Sequence, residues 1–99
     1  MPTTGAAKYH FKLFVSGKSG RARRAIENLR VICELYFPEQ YELAIIDIRE
    51  NPAAAEQERI IAVPTLVKTS PEPPCRVVGD LSVREKVLAA LDILPFQEN

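Results

Sequence analysis

Apolar and polar positions alternate from the first ordered-looking stretch onward. Tyr9, Phe11, Leu13 and Val15 are interleaved with His10, Lys12 and Phe14, the period of a strand. Ser16-Gly17-Lys18-Ser19-Gly20 then has the composition of a turn, and Ser19 stands where a helix cap belongs. After it the period changes: Ala22, Ala25, Ile26, Leu29, Ile32, Cys33 and Tyr36 share one helical face, leaving Arg21, Arg23, Arg24, Glu27 and Arg30 to water. Pro38 stops this helix. Tyr41 to Ile48 is a nearly continuous apolar run, which predicts a strand in a parallel pair covered on both faces. The first half therefore reads as a βαβ unit.

The second half carries signals that overlap. Asn51-Pro52 predicts a helix start, with good helix formers from Ala53 to Arg59. Ile60 to Val67 prefers strand, although Val63-Pro64 invites a bend within it. Ser70-Pro71-Glu72-Pro73-Pro74 is a proline-rich loop whose bonds can each populate the cis form. Arg76-Val77-Val78 predicts a short strand and Gly79-Asp80 a turn. Ser82-Val83-Arg84-Glu85 has capping-box spacing, so the last helix is expected to begin there, turning Val83, Val87, Leu88, Leu91 and Leu94 inward until Pro95. The resulting order, β-α-β-α-β-β-α with a proline ahead of the third strand, is that of the thioredoxin-like fold, an α/β class.

Ninety-nine residues suffice for one small domain, marginal enough that self-association could add to its stability. Thirteen Lys and Arg balance thirteen Asp and Glu, which removes the overall field that would draw the chain to nucleic acid or to a membrane surface. No apolar run approaches the roughly 20 residues of a membrane span, and no leader-like stretch follows Met1. A cytoplasmic protein without disulfides is the expectation.

Thioredoxin-type redox chemistry would need a Cys-x-x-Cys pair at the start of the first helix. That stretch, Ser16 to Arg21, contains no cysteine. Cys33 lies on the apolar helix face and reads as a small core residue, while Cys75 is a lone thiol beside a loop, incidental or redox-sensitive. Gly17-Lys18-Ser19 fails as a phosphate loop because Lys12 occupies the position of its first glycine. His10, the single histidine, has no cysteine or carboxylate cluster close in sequence, and no Ser-His-Asp set can be assembled. These residues point to a binding module with no catalytic role, no cofactor and no metal.

Ala62-Val63-Pro64-Thr65-Leu66, Arg76-Val77-Val78-Gly79-Asp80-Leu81-Ser82, Arg84-Glu85-Lys86-Val87-Leu88 and Leu91-Asp92-Ile93-Leu94 closely resemble the KaiB family. Lys12 to Gly17, Arg24-Ala25, Ile46-Asp47-Ile48 and Asn51-Pro52 extend the resemblance from Lys8 to Leu94. It implies a non-enzymatic partner of a KaiC-type ATPase, regulating its phosphorylation and ATPase cycle in a timing system, with KaiA as a further partner where that protein exists. It also implies metamorphism, with a free homotetramer of order βαββααβ and a partner-bound, thioredoxin-like monomer of order βαβαββα. On that basis residues 8–94 form the domain, 8–50 its constant half and 51–94 its fold-switching half, flanked by a flexible 1–7 and a short tail at 95–99.

The same resemblance assigns Arg24, Lys68 and Arg76 to the KaiC-facing surface, with ordinary solvated charge as the alternative, and Pro64, Gly79 and Asp80 to the balance between folds. Cys75 departs from the pattern, since many members carry a second basic residue there. The chain ends at Asn99 without the acidic tail of typical cyanobacterial members. It therefore resembles the short form of the family, for which a stress or redox-adaptation role, or a thioredoxin-fold interaction module like that of the kinase SasA, is the alternative to clock function.

Overall fold

The computed structural model describes residues 7–91. The expectations for the flexible start before residue 7, for Leu94 and Pro95 at the end of the last helix, and for the tail lie outside those residues.

Strand β1 (Tyr9–Val15) leads into helix α1 (Gly20–Tyr36), β2 (Tyr41–Asp47), α2 (Pro52–Gln57), β3 (Thr65–Ser70), β4 (Cys75–Val78) and α3 (Arg84–Ala90). This is the βαβαββα order. The sheet runs β2-β1-β3-β4, with β1 parallel to β2 and antiparallel to β3, which pairs antiparallel with β4.

Alternation along β1 divides the molecule into two layers. Phe11, Leu13 and Val15 face α1 and α3, where they join Leu66 and the helical residues Ala25, Leu29, Ile32, Cys33, Val87 and Leu88 in one buried core. Lys12 and Phe14 point to the other side, toward the α2 segment. Helix α1 forms because its apolar face is continuous and its ends are closed: the Ser19 hydroxyl accepts from the Ala22 amide, and the Phe37 amide bonds the Cys33 carbonyl. Phe37 then packs on Tyr9, ring centres 4.1 Å apart.

Four expectations are corrected. Among the described residues β2 is an edge strand with β1 as its single neighbour, and Ile45 is 38% exposed, so it is not covered on both faces; an apolar run alone does not distinguish an edge from a centre. The third strand starts at Thr65, not Ile60. The chain leaving α2 turns through Arg59 at φ +56°, and Ile60 still donates to Ala55, so those residues finish the helix end and cross over to the sheet. The capping box does not form: Val83 is the N-cap without a side-chain bond, and the Ser82 amide is taken by Asp80 instead. Val83 itself is 47% exposed, not inward.

Candidate functional site

The position where a thioredoxin-like fold would carry its dithiol is built here from polar turn residues. The Gly17 amide donates to Asp47 Oδ1 at 3.0 Å, and the same oxygen accepts from the Arg49 amide at 3.0 Å. These two backbone bonds hold the Asp47 carboxyl below the usual carboxylate range. Gly17 is at φ +65°, a conformation that side-chain-bearing residues rarely adopt, with the end of the Arg49 side chain lying against it. Both cysteines are free. Burial, and then the neighbouring Glu34 charge, pushes the Cys33 thiol up to about 12, so it stays an unreactive thiol at neutral pH. Cys75 is half-buried at the start of β4 and its thiol donates to the Pro73 carbonyl. Among the described residues no group of three His, Cys, Asp or Glu side chains is placed to hold a metal.

The structure does gather several of the sequence-selected residues at the end of β4. The Gly79 amide donates to the Pro64 carbonyl at 2.8 Å, joining the two segments that lead into and out of the β3–β4 hairpin. Gly79 is at φ +123°, a conformation that side-chain-bearing residues rarely adopt. Asp80 follows: its Oδ1 accepts from the Ser82 amide at 3.1 Å and its Oδ2 lies 3.5 Å from Arg24 Nε. The Ser82 hydrogen bonds, aided by Arg24, hold this carboxyl below the usual range. Asn28, one helical turn after Arg24, donates to the Asp80 carbonyl at 2.8 Å. Beside this corner a groove of about 470 Å³ runs between α1 and the start of α3, lined by Val31, Leu81, Val83 and Arg84 among others. The corner is thus exposed, charged and rimmed with apolar side chains.

The other two basic residues lie elsewhere. Lys68 is only 2% exposed and its Nζ donates to the Pro71 carbonyl at 2.9 Å, tying down the proline loop. Its expected place on the surface is therefore corrected: it pairs with Phe11 in the sheet register and faces the core side. Arg76 is exposed but engaged, its guanidinium donating to the carbonyls of Glu58 and Arg59. Sequence reasoning missed Asn28 and Glu58, each a polar residue whose partner is more than 15 positions away. For Asn28 the i, i+4 spacing from Arg24 was an available signal; for Glu58 there was none.

Comparison with known proteins bears on this geometry. The KaiB domain profile matches residues 12–93. The chain is 45% identical over 84 residues to circadian clock protein KaiB3 of Synechocystis sp., covering 85% of this chain and 82% of that one. It is 46% identical over 86 residues to circadian clock oscillator protein KaiB of Synechococcus elongatus, covering 87% and 84%. Among solved structures, the N-terminal domain of Synechococcus elongatus SasA superposes with a TM-score of 0.71 at 19% identity, covering 93% of this chain and 90% of that one. Mitochondrial thioredoxin 3 of Saccharomyces cerevisiae gives 0.69 at 16% identity, covering 88% and 80%. At such identities the two superpositions speak for the thioredoxin-like fold alone.

Proposed function

The chain belongs to the KaiB family, and from that premise we propose that it is a non-enzymatic adaptor that docks on a KaiC-type ATPase and regulates its cycle in a circadian or other timing system. The observation that carries this reading is the Arg24–Asp80 corner, a charged docking surface on a thioredoxin-like frame that has no cysteine from Ser16 to Arg21. Arg24 and Arg76 supply the positive charge that faces the partner. Lys68, buried on the Pro71 carbonyl, contributes by shaping the proline loop. A KaiA-type protein, where one exists, is a second partner, and the cytoplasm is the compartment in which they meet.

The fold described above corresponds to the form expected on the partner. We propose that residues 8–50 keep their structure while 51–94 repack into a free homotetramer, with the Pro64–Gly79 bond and the Asp80 turn as the contacts that must break. Gel filtration of the free protein tests this, and elution as a monomer at all concentrations argues against it. The docking proposal is tested by mixing the protein with its cognate KaiC-type ATPase under ATP and under ADP. Co-elution is expected, weakened by Arg24→Ala, whereas no complex over a day in either nucleotide overturns it. A second reading on the same thioredoxin-like fold is an interaction module without a clock role. In that case a complex forms but leaves the ATPase rate of the partner unchanged.

A further inference from the structure

Helix α2 differs from the other helices in having no buried residue. Yet the sheet face beneath it is closed: Phe14 is 0% and Val67 3% exposed. These two side chains belong to the layer opposite the main core, the layer that Glu58 reaches through Lys12, and in the segment from Pro52 to Val63 the apolar Ala54, Ala55, Ile60 and Val63 are only half-buried. Two alanines and two incompletely buried aliphatic side chains give such a segment limited apolar attachment.

What attaches it is a row of charge. In the sheet register Lys12 pairs with Val67 and Val67 with Arg76, so two cations flank Val67 on adjacent strands, roughly 10 Å apart across the sheet. Glu58, at the C-terminal end of α2, reaches both: Oε2 lies 3.1 Å from Lys12 Nζ and Oε1 3.7 Å from Arg76 Nη2. Arg76 also donates to the carbonyls of Glu58 and Arg59, which the helix end leaves without intrahelical partners.

We propose that Glu58 is the clasp of a releasable strap, bridging Lys12 and Arg76 over Val67 so that residues 52–63 close the outer face of the sheet, and that loss of this bridge lets the strap lift while the sheet stays folded. The clasp is sensitive to ionic strength because all three side chains are partly solvated. It also gives Arg76 two competing uses. An acidic group on a partner that takes this guanidinium removes one arm of the clasp; this coupling alone rests on the docking function proposed above.

The test needs no partner, and it is run on the monomer fraction from gel filtration, so that neither the docking function nor repacking into a tetramer enters its outcome. Amide hydrogen exchange is followed in the full chain for wild type, Glu58→Gln and Glu56→Gln. Glu56 is exposed and without an ion pair among the described residues, so it controls for the same charge change on the same helix. Glu58→Gln is expected to speed exchange at residues 54–63 about tenfold, with the amides of β1 unchanged and Glu56→Gln like wild type. Raising salt to about 1 M, where the screening length is about 3 Å, brings wild type toward the Glu58→Gln rate. Equal rates in the two variants, a rise shared by β1, or a wild-type rate indifferent to salt would each overturn the proposal.

Discussion

The β1-α1-β2 half and the half that follows it are held together by different means. In the first, a 17-residue helix buries five residues against β1 and is closed at both ends by its own neighbours. In the second, α2 buries none of its six residues and α3 buries two of its seven, Val87 and Leu88. The second half shares the common core through Leu66 on β3 and through Leu81, Val87, Leu88 and Leu91, while its connecting segments are tied across to the first by polar contacts: Asn28 to the Asp80 carbonyl, Arg24 to the Asp80 carboxylate, Lys12 to Glu58. Apolar burial is non-directional and survives small shifts, whereas hydrogen bonds and ion pairs hold one geometry and fail when it changes. A domain built this way has a frame, to which β3 and the buried face of α3 belong, and docked pieces, α2 and the corner at residues 79–82.

The largest expected effect comes from attacking the frame. Leu29→Ala removes a side chain with no exposure in the α1 face and should cost about 3 kcal/mol, lowering the denaturation midpoint of the whole domain as one transition. A loss confined to the second half would break the distinction. Next comes Asn28→Ala, which unties the docked corner from the frame. It should cost about 1 kcal/mol and raise hydrogen exchange at residues 79–88 while the exchange of β1 and α1 stays unchanged.

A smaller effect follows from acid. The Asp80 and Asp47 carboxyls both lie below their ordinary value of 3.8, so the folded state binds their protons less readily than the unfolded chain does. The stability they confer is complete above that ordinary value and is lost as pH falls through their lower folded values. Asp80→Asn and Asp47→Asn should each flatten the acid limb of a stability-versus-pH curve, and a limb identical to wild type in both variants would remove these carboxylates from the account. The smallest perturbation is chemical labelling at about pH 8, near an ordinary thiol pKa. Cys75, half-buried on the second half, should alkylate in the native protein, while Cys33, with its thiol near 12 in the frame, should react only on unfolding. Equal labelling rates would mean that the frame opens as easily as the pieces docked on it.

The frame was legible in the sequence and the docked pieces much less so. Ser19, the apolar face from Ala22 to Tyr36 and the stop before Pro38 announce α1 because each acts within four residues of chain, the reach of a helical hydrogen bond. Asn51 and Pro52 announce the start of α2 for the same reason. Ser82 and Glu85 also had capping-box spacing, yet Asp80 captured the Ser82 amide, a competition between two local patterns that spacing alone does not decide. Of the candidate site, Arg24, Pro64, Gly79 and Asp80 were selected and do converge, whereas Lys68 was misplaced and Asn28 and Glu58 were missed.

By itself the sequence determined the βαβαββα element order, the core face of β1 and α1, the absence of a dithiol between Ser16 and Arg21, and the resemblance to the family that comparison then showed. Only the tertiary structure decided that β2 is an edge, that Lys68 is buried on the core side and that Glu58 lies between two cations from different strands. The physical reason is range. Caps and periodicity are settled by neighbours a few residues apart, while strand order and the exposure of a lysine depend on which distant segments the sheet brings alongside.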